Sequence, residues 1–295
     1  MWEKFKNIIG LNANATRMLT GFILGLIVML CIMEGKLTLI LMLLAITMLA
    51  AKEYVKILQH KGFYPSFKVM LLSELLLAWV AYVHRFDLAA LVLSLCSIAS
   101  FMWVLFCGRQ PYIANVATTL LGIVYCGWFP LHLIFLRNMQ CARFDSGLGF
   151  VVLMFTAVLL TDTGAYYVGR HFGNHKLAPV ISPNKTIEGS LGGIIFAVAG
   201  ALVIGYFINL EWYFSFAAGL LCTVFAQIGD LSESLIKRDA GVKDSGHSLP
   251  GHGGFLDRTD SFIFTIPMMY YFCYYFIFNS NNLLERIMLL FKGLF

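Results

Sequence analysis

Charge is scarce in this chain: of its 295 residues only 13% are Asp, Glu, Lys or Arg, against roughly 25% in an ordinary soluble domain. Hydrophobic residues make up 59% and aromatics 15%, with a mean hydropathy of +0.79. A soluble domain of the usual kind is therefore excluded. Cysteine is thin as well. The seven cysteines are scattered, odd in number and contain no C-x-x-C pair, which argues against a zinc site or a disulfide framework and for packing within a bilayer. G-x-x-x-x-G-K-[ST] and H-E-x-x-H are both absent, so neither a P-loop nor a zincin site is present. No strong internal repeat of the kind that marks many transporters is found.

What the chain does have is a succession of long apolar runs. Nine candidate membrane helices lie near residues 17–34, 37–52, 67–84, 87–108, 112–136, 147–168, 189–209, 211–230 and 261–279, of a length that suits the hydrocarbon core. The prediction is an all-α, polytopic membrane helix bundle. MWEKFKN before MLTGFILGLIVMLCIM has the outline of a signal peptide, but many equivalent segments follow, so it reads as a first span. Residues 1–145 form an N-terminal set of helices and 146–280 a C-terminal catalytic region. Residues 281–295 read as an amphipathic tail at an interface. Most Lys and Arg fall on one set of connections, which by the positive-inside rule places those connections and the N-terminus in the cytoplasm. Two of them stand out for length and polarity, 169–188 and 231–260.

The chemistry collects at the ends of the C-terminal helices. Asp162, Asp230 and Asp260 sit at or near the ends of apolar segments, where ionisable groups normally face a polar interior. Taken singly, Asp230 and Asp260 are equally well read as helix-terminal charges. Asp257 and Asp260, at i and i+3, share a face if a helix begins there, and Asp230 joins them if the last two helices pack as neighbours. Clustered carboxylates without Cys or spaced His suit a hard cation such as Mg²⁺ better than zinc. Lys237, Arg238, Lys243 and Arg258 are interleaved with Gly241, Gly246, Gly251, Gly253 and Gly254. Glycines allow backbone N–H groups close to a ligand and the cations suit phosphate oxygens; the bland alternative is a positive-inside or headgroup patch. In SPNKTIEG, Ser182, Lys185 and Thr186 precede a Gly-rich helix, as phosphate contacts or equally as an ordinary helix cap. Glu74 in an apolar helix reads as structural, and His84 and His132 as packed or interfacial.

The run SLIKRDAGVKDSGHSLPGHGGFLDRTD, Ser234 to Asp260, resembles the signature of the phosphatidate cytidylyltransferase (CDP-diacylglycerol synthase) family. Its elements S-x-x-K-R, K-D and H-G-G-x-x-D-R-x-D stand in order without departure, and TDTGAYYVGRHFGNHKLAPVISPNKTIEGSLGG resembles the family's upstream block. The resemblance covers roughly residues 160–262 and implies the reaction of CTP with phosphatidate at the cytoplasmic face, giving CDP-diacylglycerol and pyrophosphate. It implies a Mg²⁺ site with a second, monovalent cation such as K⁺. By position, Asp230, Asp257 and Asp260 match the family's metal carboxylates. Ser234, Lys237, Lys243, Asp244 and His252 match its essential or substrate-binding residues. The implied partners are the two substrates, the lipid bilayer and a second copy of the chain, with no nucleic acid. The short loops suggest a bacterial-type inner membrane. Rival readings are CDP-archaeol synthesis, a CTP-dependent polyprenol kinase and a transporter of a phosphorylated solute.

Overall fold

A computed structural model of the protein describes residues 13–140, 146–246, 248 and 253–278, with backbone alone at 13–20 and 146. His247, His252 and the tail 281–295 lie outside the described residues. Nine helices run along the described chain: α1 (Ala13–Glu34), α2 (Lys36–His60), α3 (Phe67–Tyr82), α4 (Leu88–Cys107), α5 (Tyr112–Arg137), α6 (Ser146–Phe172), α7 (Ile187–Phe207), α8 (Trp212–Asp239) and α9 (Leu256–Phe272). Six of them, α2 and α4 to α8, are long and apolar enough to cross a membrane, whereas α3 has 16 residues and α9 has 17. Large apolar side chains such as Phe106, Ile113 and Phe207 are 73–87% exposed. An aqueous surface would not tolerate so many; a bilayer does. The protein is an integral membrane helix bundle.

Several helices outrun their apolar cores. α2 continues past residue 52 to His60, α6 past 168 to Phe172, α8 past 230 to Asp239, and α9 starts at Leu256 instead of 261. The added stretches EYVKILQH and LSESLIKRD contain no Gly or Pro and are rich in good helix formers, so charge alone does not end them. Gly241 does end α8: at φ 72° it lets the N–H groups of Gly241 and Val242 return to the carbonyls of Arg238 and Lys237, a left-handed helix stop. The polar connection expected over 231–260 is thereby reduced to residues 240–255. The other connection, 169–188, holds an antiparallel hairpin that the sequence reading did not anticipate, β1 (Lys176–Ala178) with β2 (Ser182–Thr186), pairing Lys176 with Thr186 and Ala178 with Ser182.

The chain groups into two compact units by its internal contacts. One unit comprises residues up to Ile134 together with Gly229–Ile263; the other comprises Phe135–Ile228 and Phe264 onward. The signature segment thus belongs with the N-terminal helices. Within this first unit, polar side chains of α5 hold the segment that leads into α3. Asn115 Oδ1 accepts from Tyr64 N–H at 2.7 Å and Thr119 Oγ1 from Ser66 N–H at 2.9 Å. Tyr54 of α2 donates its hydroxyl to Thr118 O at 2.9 Å, satisfying groups that burial would otherwise penalise. Glu74 Oε2 accepts from Thr47 at 3.3 Å, in keeping with a structural role. Within the second unit, α6 and α7 approach closely through glycine: a Cβ on Gly192 would lie 2.4 Å from Val168 Cγ2, the small-residue packing usual in membranes.

Candidate active site

α8 and α9 cross tightly at one point in the first unit. A Cβ on Gly229 would stand 2.4 Å from the carbonyl oxygen of Asp260, so only glycine fits there. The crossing sets Asp230 of α8 beside the start of α9, where Asp257 and Asp260 occupy successive turns of one face. Glu233, one turn further along α8, is buried and lies within electrostatic reach of both Asp257 and Asp260.

Lys237 is the centre of this cluster. Its Nζ pairs with Glu233 Oε2, four residues earlier, and with Asp257 Oδ1 at 2.8 Å. The side chains of the three are 11%, 1% and 9% exposed, so this is a buried ion triad, costly to break by removing one member. Glu233 Oε1 is buried without a hydrogen-bond partner. Asp257 has further donors: Ser245 N–H, at 3.2 and 3.1 Å from its two oxygens, and Gly254 N–H, 2.9 Å from Oδ2. Burial pushes its carboxyl upward, but Lys237 and these N–H groups outweigh it and hold the pKa at about 2.

Asp260 Oδ1 accepts from Ser261 N–H at 2.7 Å, and Ser234 Oγ approaches Asp230 Oδ1 at a long 3.5 Å. Arg238, Lys243, Asp244 and Arg258 are exposed at the end of α8, in the loop and in the first turn of α9. Arg238 Nη1 donates to Val242 O at 3.3 Å.

Gly246, Gly253 and Gly254 make room for carboxylates. Gly253 sits at φ 80°, where its missing Cβ would come within 2.8 Å of Asp257 Oδ2. A Cβ on Gly254 would stand 2.1 Å from Ser245 Oγ and 2.5 Å from Glu53 Oε2, and one on Gly246 2.9 Å from Glu53 Oε1. Backbone N–H groups are indeed brought to an anion, but the anion is Asp257.

Sequence reasoning missed three residues here. Glu233 carried a local signal, since it lies four residues before Lys237 on one helix. Tyr125, buried in the π-helical stretch Ile123–Trp128 of α5 and within electrostatic reach of Glu233 and Asp260, carried none. Glu53 of α2, buried among the loop's donors, carried none either.

Ser182, Lys185 and Thr186 belong to the second unit, on β2. Thr186 is buried and its Oγ1 accepts from Gly189 N–H at 3.1 Å, so its hydroxyl acts as the N-cap of α7. Lys185 Nζ is buried and Ser182 is half-buried at the turn end of the hairpin. Glu188 ties the hairpin's base, accepting from the N–H groups of Asn174 and His175 and from His175 Nδ1 at 2.6 Å. Asp162 lies well inside α6.

Whether this donor set suits a hard cation is decided by its chemistry. Asp230, Glu233, Asp257 and Asp260 offer only oxygen, Lys237 pairs with two of them, and Glu233 Oε1 is left without a hydrogen-bond donor. That fits Mg²⁺ in ligand type. In the present arrangement no three His, Cys, Asp or Glu among the described residues gather around one point, and Asp257 spends its lone pairs on the ammonium and backbone donors.

Comparison with known proteins gives the family. Residues 15–276 match the model of the cytidylyltransferase family. A phosphatidate cytidylyltransferase of Synechocystis sp. is 35% identical over 265 residues, covering 80% of this chain and 88% of its own length. One of Staphylococcus haemolyticus is 37% identical over 262 residues, covering 86% and 96%. A third, of Staphylococcus aureus, reaches 50% identity over 127 residues, 42% of this chain and 49% of its own. With its signature helices crossing at Gly229 and its family match spanning nearly every described helix, the chain belongs to the cytidylyltransferase family.

Proposed function

We propose that the protein transfers a cytidylyl group from CTP to phosphatidate. An oxygen of the lipid phosphate attacks the α-phosphorus of CTP and forms a P–O bond. The bond to the β-phosphate breaks, and pyrophosphate leaves with the electron pair, giving CDP-diacylglycerol. Relatives named phosphatidate cytidylyltransferase that align with 80–86% of the chain support the reading. The geometric observation that carries it is the Lys237 ammonium pinned between Glu233 and Asp257 at the crossing of α8 and α9.

The lipid phosphate is already anionic near neutral pH, so the chemistry calls for positioning and charge balance more than for a strong base. Lys237 has three N–H donors. Two are held by carboxylates, which orients the third toward a phosphate oxygen. Arg238, Lys243 and Arg258, exposed around it, offset triphosphate charge, while Ser234, Asp244 and His252 contribute substrate contacts. Asp230, Asp257 and Asp260 would hold Mg²⁺, with K⁺ as a second cation; when bound, the ions neutralise phosphate charge. Because one substrate is soluble and the other a two-chained lipid, the reacting atoms meet at the headgroup level. The reading places the site and the N-terminus on the cytoplasmic side of a bacterial inner membrane and includes a homodimer, which crosslinking in the membrane tests.

The deciding assay uses purified protein in mixed micelles with phosphatidate, Mg²⁺, K⁺ and CTP labelled at the α-phosphate. Phosphatidate-dependent label in lipid is the expected result. Label released as free CDP would instead indicate a kinase, and untouched CTP would sink the transferase reading.

A further inference from the structure

Glu53 comes from the apolar N-terminal helices, 3% exposed, in a stretch, AAKEYVK, that reads as the unremarkable end of a span. Its carboxylate is nevertheless fully engaged, and every partner lies in the signature loop. Oε2 accepts from Leu256 N–H at 2.9 Å and from Ser245 Oγ at 3.4 Å; Oε1 accepts from Ser248 Oγ at 2.5 Å. Leu256 opens α9, so its N–H has no carbonyl within the helix to bond. Glu53 supplies the acceptor from outside, as an N-cap residue would, and its negative charge suits that end of the helix.

Two carboxylates therefore grip the same short loop. Ser245 gives its N–H to Asp257 and its hydroxyl to Glu53. Gly254 gives its N–H to Asp257, and its bare Cα leaves room for Glu53 Oε2, which a Cβ would meet at 2.5 Å. Leu256, bonded to Glu53, is the residue immediately before Asp257. Gly246 is likewise cut to fit, since a Cβ there would meet Glu53 Oε1 at 2.9 Å. Moving Glu53 thus moves the donors that fix Asp257, and through Asp257 the ammonium of Lys237. A buried carboxylate placed only to stabilise the bundle would not need its partners drawn from the residues that fix a second carboxylate.

We propose that Glu53 is a positioning residue for cytidylyl transfer: from α2 it holds Ser245, Ser248 and Leu256 in the arrangement that presents Asp257 and Lys237 to the substrates. The proposal rests on the function put forward above. It is tested on the full-length reconstituted protein by kcat and KM for each substrate, and by amide hydrogen exchange, in wild type, Glu53→Ala and Glu53→Gln. Glu53→Ala is expected to lower kcat by about 10²-fold while KM for CTP stays within about twofold, because the loss lies in alignment and not in contact. Exchange should quicken at Ser245 and Leu256 with α2 and α3 unchanged. Glu53→Gln should recover at least about tenfold of the lost kcat, since its carbonyl can still accept from Leu256 N–H and its amide can donate to a serine oxygen.

A Glu53→Ala enzyme within twofold of wild type in kcat would overturn the proposal. So would exchange that quickens across all helices with no recovery in Glu53→Gln, the mark of a purely structural role. If wild type itself moves no label, the functional reading falls and exchange decides for Glu53 alone. Selective loss at the loop upholds the clamp, and unchanged protection removes it.

Discussion

The two polar connections, 169–188 and 240–255, look alike in sequence: both are punctuated by Gly, Pro and His and lie between apolar helices. They are built on opposite plans. The first closes on itself, with its own hairpin, a Thr186 cap and a Glu188 that bonds residues 13 and 14 positions away. The second makes no strand ladder among its described residues and is gripped by two carboxylates, Asp257 from the adjoining helix and Glu53 from near the start of the chain. Local closure secures a fold; closure by distant charges lets several helices set the position of one ammonium. A similar composition can thus serve either purpose, and only the partners tell them apart.

If that contrast is right, substitutions in the second connection should strike turnover, and the largest effect belongs to the carboxylates. Asp257→Ala or Asp260→Ala should lower kcat by roughly 10³-fold with membrane insertion intact, measured with α-labelled CTP. Normal turnover in either variant would remove it from the site. Lys237→Ala should cost about 10²-fold, and it leaves Glu233 and Asp257 facing each other without their cation. Unchanged kinetics for CTP and lipid would break the assignment.

Gly254→Ala is a sharper probe, because it touches no substrate in this account. Its added methyl would overlap Ser245 Oγ and crowd Glu53 Oε2, so kcat should fall by about tenfold or more, the scale of a small misplacement. A fully active Gly254→Ala would show that the loop tolerates a looser grip. The smallest effect is expected in the first connection. Thr186→Ala removes the cap of α7 and should cost about 1 kcal/mol of stability, seen as a lowered unfolding midpoint. Recovery by Thr186→Ser would tie the loss to the hydroxyl. A raised KM for CTP with an unshifted midpoint would instead give Thr186 a substrate role and blur the contrast.

The spans were legible because hydrocarbon imposes one rule on composition, and every spanning helix obeys it. Their ends were not: apolar runs stop where the bilayer stops, while α8 continues as helix to Asp239 through residues with no reason to break it. That continuation places Asp230, Glu233, Ser234 and Lys237 on one rod. The i,i+4 pairing of Glu233 with Lys237 could then have been read from spacing. The acidic and basic residues of the signature were legible as a set, because so many fixed polar positions stand in order in one stretch. Glu53 was illegible for a physical reason. Its partners lie 192 to 203 residues away, and nothing local distinguishes a glutamate that will be buried from one that stays in water.

That separation also bears on how the protein is made. Glu53 leaves the ribosome some two hundred residues before Leu256, so α2 enters the membrane carrying a carboxylate whose donors are still unwritten. Contacts of such long sequence separation close late. The grip on the loop is therefore among the last parts of the molecule to form, and a nascent or truncated chain that already holds every membrane span through α8 remains without a working site until the final helix arrives.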